Sequence, residues 1–106
     1  MTIKSLTIFC SSSNDLDSEF YEIATELGVY LAYKSIQIIY GGGNSGIMGK
    51  ISKSSYDNGG NIIGIIPKFL LNEEKAKLDN CKTIVVENMT ERKKKLFELG
   101  DAFLIL

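Results

Sequence analysis

The feature that most constrains the fold of this chain is a series of five short apolar runs along its 106 residues. The runs are apolar at successive positions rather than at every second one, which is typical of parallel strands buried on both faces of a sheet. We therefore predict a parallel sheet. Its five strands are expected at Ser5–Cys10, Ile36–Tyr40, Asn61–Ile66, Thr83–Val86 and Ala102–Leu106.

The segment between the first two runs carries apolar side chains at helical spacing, which predicts an amphipathic helix. Asp15 or Asp17 is suited to the N-cap, because a short acidic side chain accepts hydrogen bonds from the free N–H groups of the first turn. Ser35 then turns the chain into the second run. The stripe expected to face the sheet consists of Phe20, Ile23, Ala24, Leu27, Tyr30 and Leu31.

Two further helices are predicted, from Gly46 to about Tyr56 and from about Met89 to Leu99. Asn58-Gly59-Gly60 closes the first, because glycine readily adopts the left-handed conformation of a C-cap. In the second, Leu96, Phe97 and Leu99 are expected to face inward. Residues 67–79 form a polar connection with room for a short helix.

Strands that alternate with helices indicate βαβ units with right-handed crossovers. The predicted fold is therefore α/β, a Rossmann-like open parallel sheet with helices on both faces, in a single domain over residues 1–106. Ligands of such sheets bind at the carboxyl ends of the strands. That rule directs attention to the loops after the strands, above all to residues 11–13 and 41–46.

The composition excludes several classes of function. With 12 basic and 13 acidic residues the net charge is −1, so the chain has no cationic field for a nucleic acid polymer or an anionic membrane. Cys10 and Cys81 lack C-x-x-C spacing and histidine is absent, which argues against a disulfide scaffold and a metal site. No apolar stretch approaches the roughly 18 residues of a membrane span. We expect a cytoplasmic protein whose partner is a small ligand or another protein.

A glycine-rich segment follows the second apolar run: residues 40–50 read YGGGNSGIMGK and contain five glycines. Glycine costs roughly 0.5–1 kcal/mol in regular structure relative to alanine, so a cluster marks positive φ or a close approach to the backbone. A helix that begins near Ser45 or Gly46 would point its free N–H groups and its positive dipole end into the loop. From the loop alone, an anion site and a simple strand-to-helix turn are equally supported.

Two familiar phosphate motifs do not fit this loop. Gly41, Gly43 and Gly46 satisfy G-x-G-x-x-G, but the dinucleotide fingerprint belongs to the first strand-to-helix turn and needs an acidic residue about 20 positions later. A Walker loop would need lysine and a hydroxyl residue after Gly46, where the chain has Ile47 and Met48.

Taken whole, residues 41–49 resemble the G-G-G-x-x-G-x-M-G motif of the LOG ("lonely guy") family, the cytokinin riboside 5′-monophosphate phosphoribohydrolases also called possible lysine decarboxylases. Four other segments match that family in its order. They are FCSSS at 9–13 for F-C-G-S-S, GIIP at 64–67 for G-V-I-P, MTERK at 89–93 for M-H-x-R-K, and DAF at 101–103 for D-A-F.

The resemblance implies hydrolysis of the N-glycosidic bond of a nucleoside 5′-monophosphate, which releases a free base (a cytokinin or adenine) and ribose 5-phosphate. It implies a catalytic role for Arg92, which without the resemblance is better interpreted as surface charge on a basic helix. No cofactor is expected, since nothing in the sequence supports the pyridoxal phosphate chemistry of the decarboxylase label. The implied substrate-binding residues are Ser12, Ser13, Gly41, Gly42, Gly43, Gly46, Met48, Glu74 and Lys93.

Some of these residues have a second interpretation that the sequence leaves open. Ser12 and Ser13 are equally suited to capping the helix that follows them. Lys93 is equally suited to being surface charge on a basic helix. Glu74 lies beside Glu73, so the register of the matching glutamate is ambiguous, and both are equally suited to be solvated carboxylates.

The resemblance also implies that the chain is the N-terminal portion of a longer domain. After Ile105-Leu106 the family continues into P-G-G-x-G-T-x-x-E, which carries its main phosphate loop and its catalytic glutamate. We expect the sheet to be truncated after its fifth strand, with the apolar surface of that strand exposed, a homo-oligomer such as a dimer, and no activity in residues 1–106 alone. The alternatives are a noncatalytic nucleotide- or phosphate-binding module and a half-domain that folds only with a partner chain.

Overall fold

The computed structural model describes residues 2–10, 17–42, 46–71 and 81–106. Within these ranges five strands alternate with three α-helices, and a short 3₁₀ helix at Lys68–Leu70 follows the third strand, as the sequence predicted. None of the described helices is long and apolar enough to cross a membrane. The elements are β1 Ser5–Phe9, α1 Ser18–Tyr33, β2 Gln37–Tyr40, α2 Gly46–Asp57, β3 Ile62–Pro67, β4 Lys82–Val86, α3 Met89–Leu99 and β5 Ala102–Ile105.

All four strand pairings are parallel, and the strands lie in the order β4-β3-β2-β1-β5. Ser5 of β1 is in register with Gln37 of β2, and Leu6 pairs with Ala102 of β5 on the other side. The predicted α/β fold with a parallel sheet is therefore confirmed. Because β4 and β5 lie at opposite edges, α3, which connects them, has to cross the sheet.

The two faces of the sheet are covered by different helices. Along β2, Ile38 and Tyr40 pack on the face that α1 and α2 cover, whereas Ile39 points to the opposite face. There it joins Ile65 of β3 and Leu96 of α3 in a second buried cluster. Because successive side chains of a strand point to opposite faces of the sheet, β2 contributes side chains to both buried clusters. Helices lie on both faces, as predicted.

The predicted inward stripe of α1 is wrong in part. Phe20, Ile23 and Tyr30 are 47%, 56% and 54% exposed, and the buried face consists of Ala24, Gly28 and Leu31. The reason is the close crossing of α1 and α2. A side-chain carbon on Gly28 would overlap Ser54 Oγ and the carbonyl oxygen of Ile51, so only the glycine face of α1 fits against α2.

The N-cap of α1 is Asp17, one of the two predicted residues, but its side chain makes no capping hydrogen bond. Asp15 lies outside the described residues. The predicted turns are confirmed, since Ser35 has φ +58° and Gly59 has φ +81°.

Helix α3 is attached to β1 by two hydroxyl groups. Thr7 Oγ1 donates to the carbonyl oxygen of Leu96 and Ser5 Oγ to that of Leu99, both at 2.8 Å. These carbonyls belong to the last turn of the helix and have no partner within it, so the two strand hydroxyls satisfy them and fix the helix on the sheet.

Phe97 of α3 is a second correction, because it is 58% exposed rather than inward. Leu96 and Leu99 occupy the side of the helix that faces the sheet. The Phe97 ring instead lies beside Phe103 of β5, with 5.2 Å between ring centroids, and beside Phe9 of β1 at 6.1 Å. The predicted exposure of the last strand is confirmed, since Ile105 is 80% exposed.

At the amino ends of β1 and β5, one carboxylate joins the two strands. Asp101 Oδ2 accepts from the backbone N–H of Lys4 at 2.8 Å and of Ser5 at 3.1 Å. These bonds stabilise the ionised form and lower the pKa of Asp101 below its ordinary value. The group is exposed, so the effect on stability is modest.

The lowered pKa of Asp101 predicts the direction of a pH dependence. The carboxylate contributes stability above its unfolded pKa of about 3.9, and the contribution is lost as the pH falls through the lower folded value. The urea midpoint of the parent should therefore fall below about pH 4 more steeply than that of Asp101→Asn, measured by circular dichroism. Parallel pH profiles for the two proteins would contradict this role.

The close crossing of α1 and α2 predicts that Gly28→Ala destabilises the fold. Alanine is favoured over glycine in a helix by about 1 kcal/mol, but the added carbon overlaps α2, and such overpacking costs about 1–3 kcal/mol. Urea unfolding should show a lower free energy of unfolding for Gly28→Ala. The matched control is Glu22→Ala on the exposed side of the same helix, which should change stability by less than about 0.5 kcal/mol. A midpoint for Gly28→Ala at or above the parent would contradict the packing argument.

Candidate functional site

The glycine segment lies at the carboxyl edge of the parallel sheet. Gly41 and Gly42 directly follow β2, and α2 begins at Gly46. Gly42 has φ +80° and Gly46 has φ +62°, conformations that other residues rarely adopt. These two glycines therefore have the positive φ that the glycine cluster in the sequence predicted.

Arg92 reaches this edge from the first turn of α3. Its Nη2 donates to the carbonyl oxygen of Gly41 at 2.9 Å, and its Nε donates to that of Ile65 at 3.2 Å. Gly41 follows β2 and Ile65 belongs to the neighbouring β3. One guanidinium group thus connects the ends of two adjacent strands.

Gly41 is a glycine for a different reason from Gly42. A Cβ atom built on Gly41 would overlap Nη2 of Arg92 and lie 2.7 Å from its Cζ, so the guanidinium occupies the space that a side chain would need. The close approach that the glycine cluster predicted is here made by a side chain of the protein itself.

The environment of Arg92 keeps a cation at the edge of the sheet. The side chain is half-buried, and burial lowers the pKa of the guanidinium, which nevertheless stays protonated in proteins at neutral pH. Among the described residues, no carboxylate forms an ion pair with it. A guanidinium has five N–H groups, and the two hydrogen bonds to carbonyls leave three for an anion.

A capping arrangement fixes the turn of α3 that carries Arg92. Asn88 Oδ1 accepts from the backbone N–H of Glu91 at 2.9 Å, and Glu91 Oε2 accepts from that of Glu87 at 2.8 Å. This is close to a capping box, in which the third residue of the helix reaches back to the preceding chain. The sequence interpretation missed Asn88 and Glu91, although their N-x-x-E spacing was the available signal.

The strand end that carries Gly41 is anchored in the core. Tyr40 is 1% exposed, and its hydroxyl lies 3.7 Å from Sγ of Cys81. Burial, followed by this neighbour, raises the pKa of Tyr40, and burial also raises the pKa of the Cys10 thiol. Both groups are therefore neutral at physiological pH. Among the described residues, no cluster of three His, Cys, Asp or Glu could hold a metal ion.

The remaining predicted site residues lie in different places. Met48 is buried in the core between the sheet and α2, and Lys93 is exposed on α3. Gly41 and Arg92 are in direct contact. The structure does not describe Ser12, Ser13, Gly43 and Glu74.

Comparison with known proteins agrees with the sequence motifs. The family described as "possible lysine decarboxylase" matches residues 48–106. A probable cytokinin riboside 5′-monophosphate phosphoribohydrolase of Oryza sativa subsp. japonica is 35% identical over 98% of this chain and 45% of its own length. A cytokinin riboside 5′-monophosphate phosphoribohydrolase of Rhodococcoides fascians is 34% identical over 99% of this chain and 54% of its own length. The chain thus spans about half the length of the curated relatives it matches.

Solved structures share the fold. The molybdenum cofactor carrier protein of Chlamydomonas reinhardtii superposes with a TM-score of 0.77 at 20% identity, over 95% of this chain and 60% of that one. The molybdenum cofactor binding protein of Rippkaea orientalis also gives 0.77 at 20% identity, over 99% of this chain and 63% of that one. These likenesses concern the fold, whereas the family match and the motifs concern the site. The family match, which covers more than half of the chain, establishes that the chain belongs to the possible lysine decarboxylase, or LOG, family.

Proposed function

We propose that this chain is the N-terminal part of a nucleoside 5′-monophosphate phosphoribohydrolase, which releases a free base, adenine or a cytokinin, and ribose 5-phosphate. The relatives named for this reaction match nearly the whole chain. The observation that carries the proposal is Arg92, a half-buried cation held at the carboxyl edge without an ion-pair partner among the described residues.

The chemistry needs such a cation. In the reaction, the bond from the ribose carbon to the base nitrogen breaks, and the oxygen of a water molecule takes the place of the base. Positive charge develops on the sugar, as in other glycoside hydrolyses, while negative charge builds up on the departing base beside a substrate that already carries a phosphate. A fixed guanidinium stabilises either anion without moving, which is the preorganised electrostatic stabilisation that lowers a barrier most effectively.

The other site residues are proposed from their motif positions. Gly42 and Gly46 shape the loop ahead of α2, and the positive dipole end of that helix suits a phosphate. We assign substrate contacts to the same loop and to Met48, Lys93, Ser12, Ser13 and Glu74. The carboxylate that stabilises the sugar cation is assigned to the glutamate of the family's P-G-G-x-G-T-x-x-E motif, which residues 1–106 do not contain.

We also propose a cytoplasmic homodimer. Within residues 1–106 the edge strand β5 has Ile105 80% and Phe103 46% exposed, and an apolar edge of this kind favours pairing with a further segment, of the same chain or of a second copy. Cys10 and Cys81 are both thiols rather than halves of a disulfide, as expected in a reducing compartment.

A second candidate is a noncatalytic nucleotide- or phosphate-binding module. The contacts of Arg92 with two strand carbonyls also suit this role, since a cation held in this way binds an anion without cleaving a bond. Solved proteins with this fold are named as carrier and binding proteins. Calorimetry with AMP separates the candidates, because binding without release of ribose 5-phosphate by the full-length protein supports the second.

In the full-length protein, Arg92→Ala should lower kcat for AMP by about 10²–10³, the usual effect of removing one positioned charge-stabilising donor. KM should change less, since the residue acts mainly in the transition state. Arg92→Lys should recover little of the loss, because one ammonium group cannot reproduce the guanidinium's fork to two carbonyls. The assay is release of ribose 5-phosphate.

The control for this prediction is Lys95→Ala, which removes an exposed cation from the same helix and should leave kcat within about twofold of the parent. Parent activity in Arg92→Ala would remove Arg92 from the mechanism.

Residues 1–106 alone should not release ribose 5-phosphate from AMP or isopentenyladenosine monophosphate above background. The segment has no assigned carboxylate for the sugar cation, and loss of such a group costs about 10²–10³ in rate before weaker binding is included. The measurement uses purified protein whose intact mass ends at Leu106. Clear turnover would mean that Glu73, Glu74 or a second chain supplies the carboxylate.

A further inference from the structure

Gly41 has no conformational reason to be a glycine. Among the described glycines, positive φ occurs at Gly42, Gly46 and Gly59, whereas the backbone of Gly41 is open to any residue. What excludes a side chain at Gly41 is the guanidinium of Arg92, which occupies the space of the missing Cβ.

The contact is with the flexible end of a side chain rather than with backbone. The atoms that meet a Cβ on Gly41 are Nη2, Cζ and Nε of Arg92, at the far end of an unbranched chain. Gly41→Ala can therefore fold with its backbone unchanged by moving the guanidinium away. The same movement would break the hydrogen bonds to the carbonyls of Gly41 and Ile65.

We infer that Gly41 is a positioning residue for the proposed hydrolysis, and that the absence of its side chain acts through Arg92. Its missing side chain leaves the space in which the guanidinium donates to both strand ends at once. The inference rests on the proposed function for its effect on rate, and on the contact between Gly41 and Arg92 alone for its effect on stability.

The test is a double-mutant cycle in the full-length protein with AMP as substrate. Gly41→Ala should lower kcat by about 10²-fold, the size of effect that a misplacement of about 1 Å produces, with a smaller change in KM. Added to Arg92→Ala, the same substitution should change kcat by less than about twofold, since no guanidinium remains to be displaced. A penalty of equal size in both backgrounds would overturn the inference, as would a Gly41→Ala protein with the parent's kcat.

Gly42→Ala is the matched control in the same loop. Its penalty arises from the left-handed backbone of Gly42, which is independent of Arg92. It should therefore reduce kcat by the same factor whether Arg92 is present or replaced by alanine. If Gly41→Ala behaves in this way, its effect comes from the loop backbone and the inference is wrong.

Rescue by free guanidinium ion separates positioning from a general structural effect. Millimolar guanidinium should restore part of the activity of Arg92→Ala, because the space between the two carbonyls is then empty. It should restore nothing in the Gly41→Ala, Arg92→Ala double variant, where the new methyl group fills that space. Equal rescue of both proteins would overturn the inference.

Urea unfolding tests the contact between Gly41 and Arg92 by its effect on stability, independently of any enzymatic activity. Gly41→Ala and Arg92→Ala should lower the urea midpoint by similar amounts, and the double variant should fall no further than Arg92→Ala alone. If the parent does not release ribose 5-phosphate, the proposed function fails while this stability cycle still decides whether Gly41 acts through Arg92. Additive shifts in midpoint would overturn it.

Discussion

The passage of α3 across the sheet is the constraint on which the candidate site depends. Its neighbouring strands, β4 and β5, lie at opposite edges, so the helix has to run over the strands between them. The hydroxyls of Ser5 and Thr7 attach its last turn to β1, while Arg92 attaches its first turn to β2 and β3. The polar groups that hold the helix on the sheet therefore include the cation that we assign to catalysis.

This double use limits what the site can tolerate. Arginine suits both purposes, because its planar group donates in several fixed directions and remains charged when half-buried. Two of its donors bind strand carbonyls and stabilise the fold, and the group lies at the edge at which ligands of parallel sheets bind. A positively charged residue without this fork of donors could bind an anion. It would not also hold the ends of β2 and β3 in a fixed position beside that anion.

Local patterns in the sequence predicted the architecture well. Continuous apolar runs identified the five parallel strands, and the glycine cluster identified a loop with positive φ at Gly42 and Gly46. Burial on the helices was less predictable, because helix partners decide it. Ile23 and Tyr30 lie at good helical spacing, but α2 approaches α1 so closely that only the side of Gly28 fits.

The contact at the candidate site could not be derived from any local pattern, because Arg92 and Gly41 are 51 residues apart and meet only when α3 crosses β2. The motifs supplied both residues as members of the site but did not indicate that one fills the missing side chain of the other. The two neighbouring glycines consequently have different evolutionary freedom. A relative that has lost the arginine can accept a larger residue at the position of Gly41, whereas the position of Gly42 stays restricted to glycine for as long as the turn is retained. Glycine at position 41 is thus required only while the arginine opposite it is present. The residue types at these two positions should therefore vary together across the family.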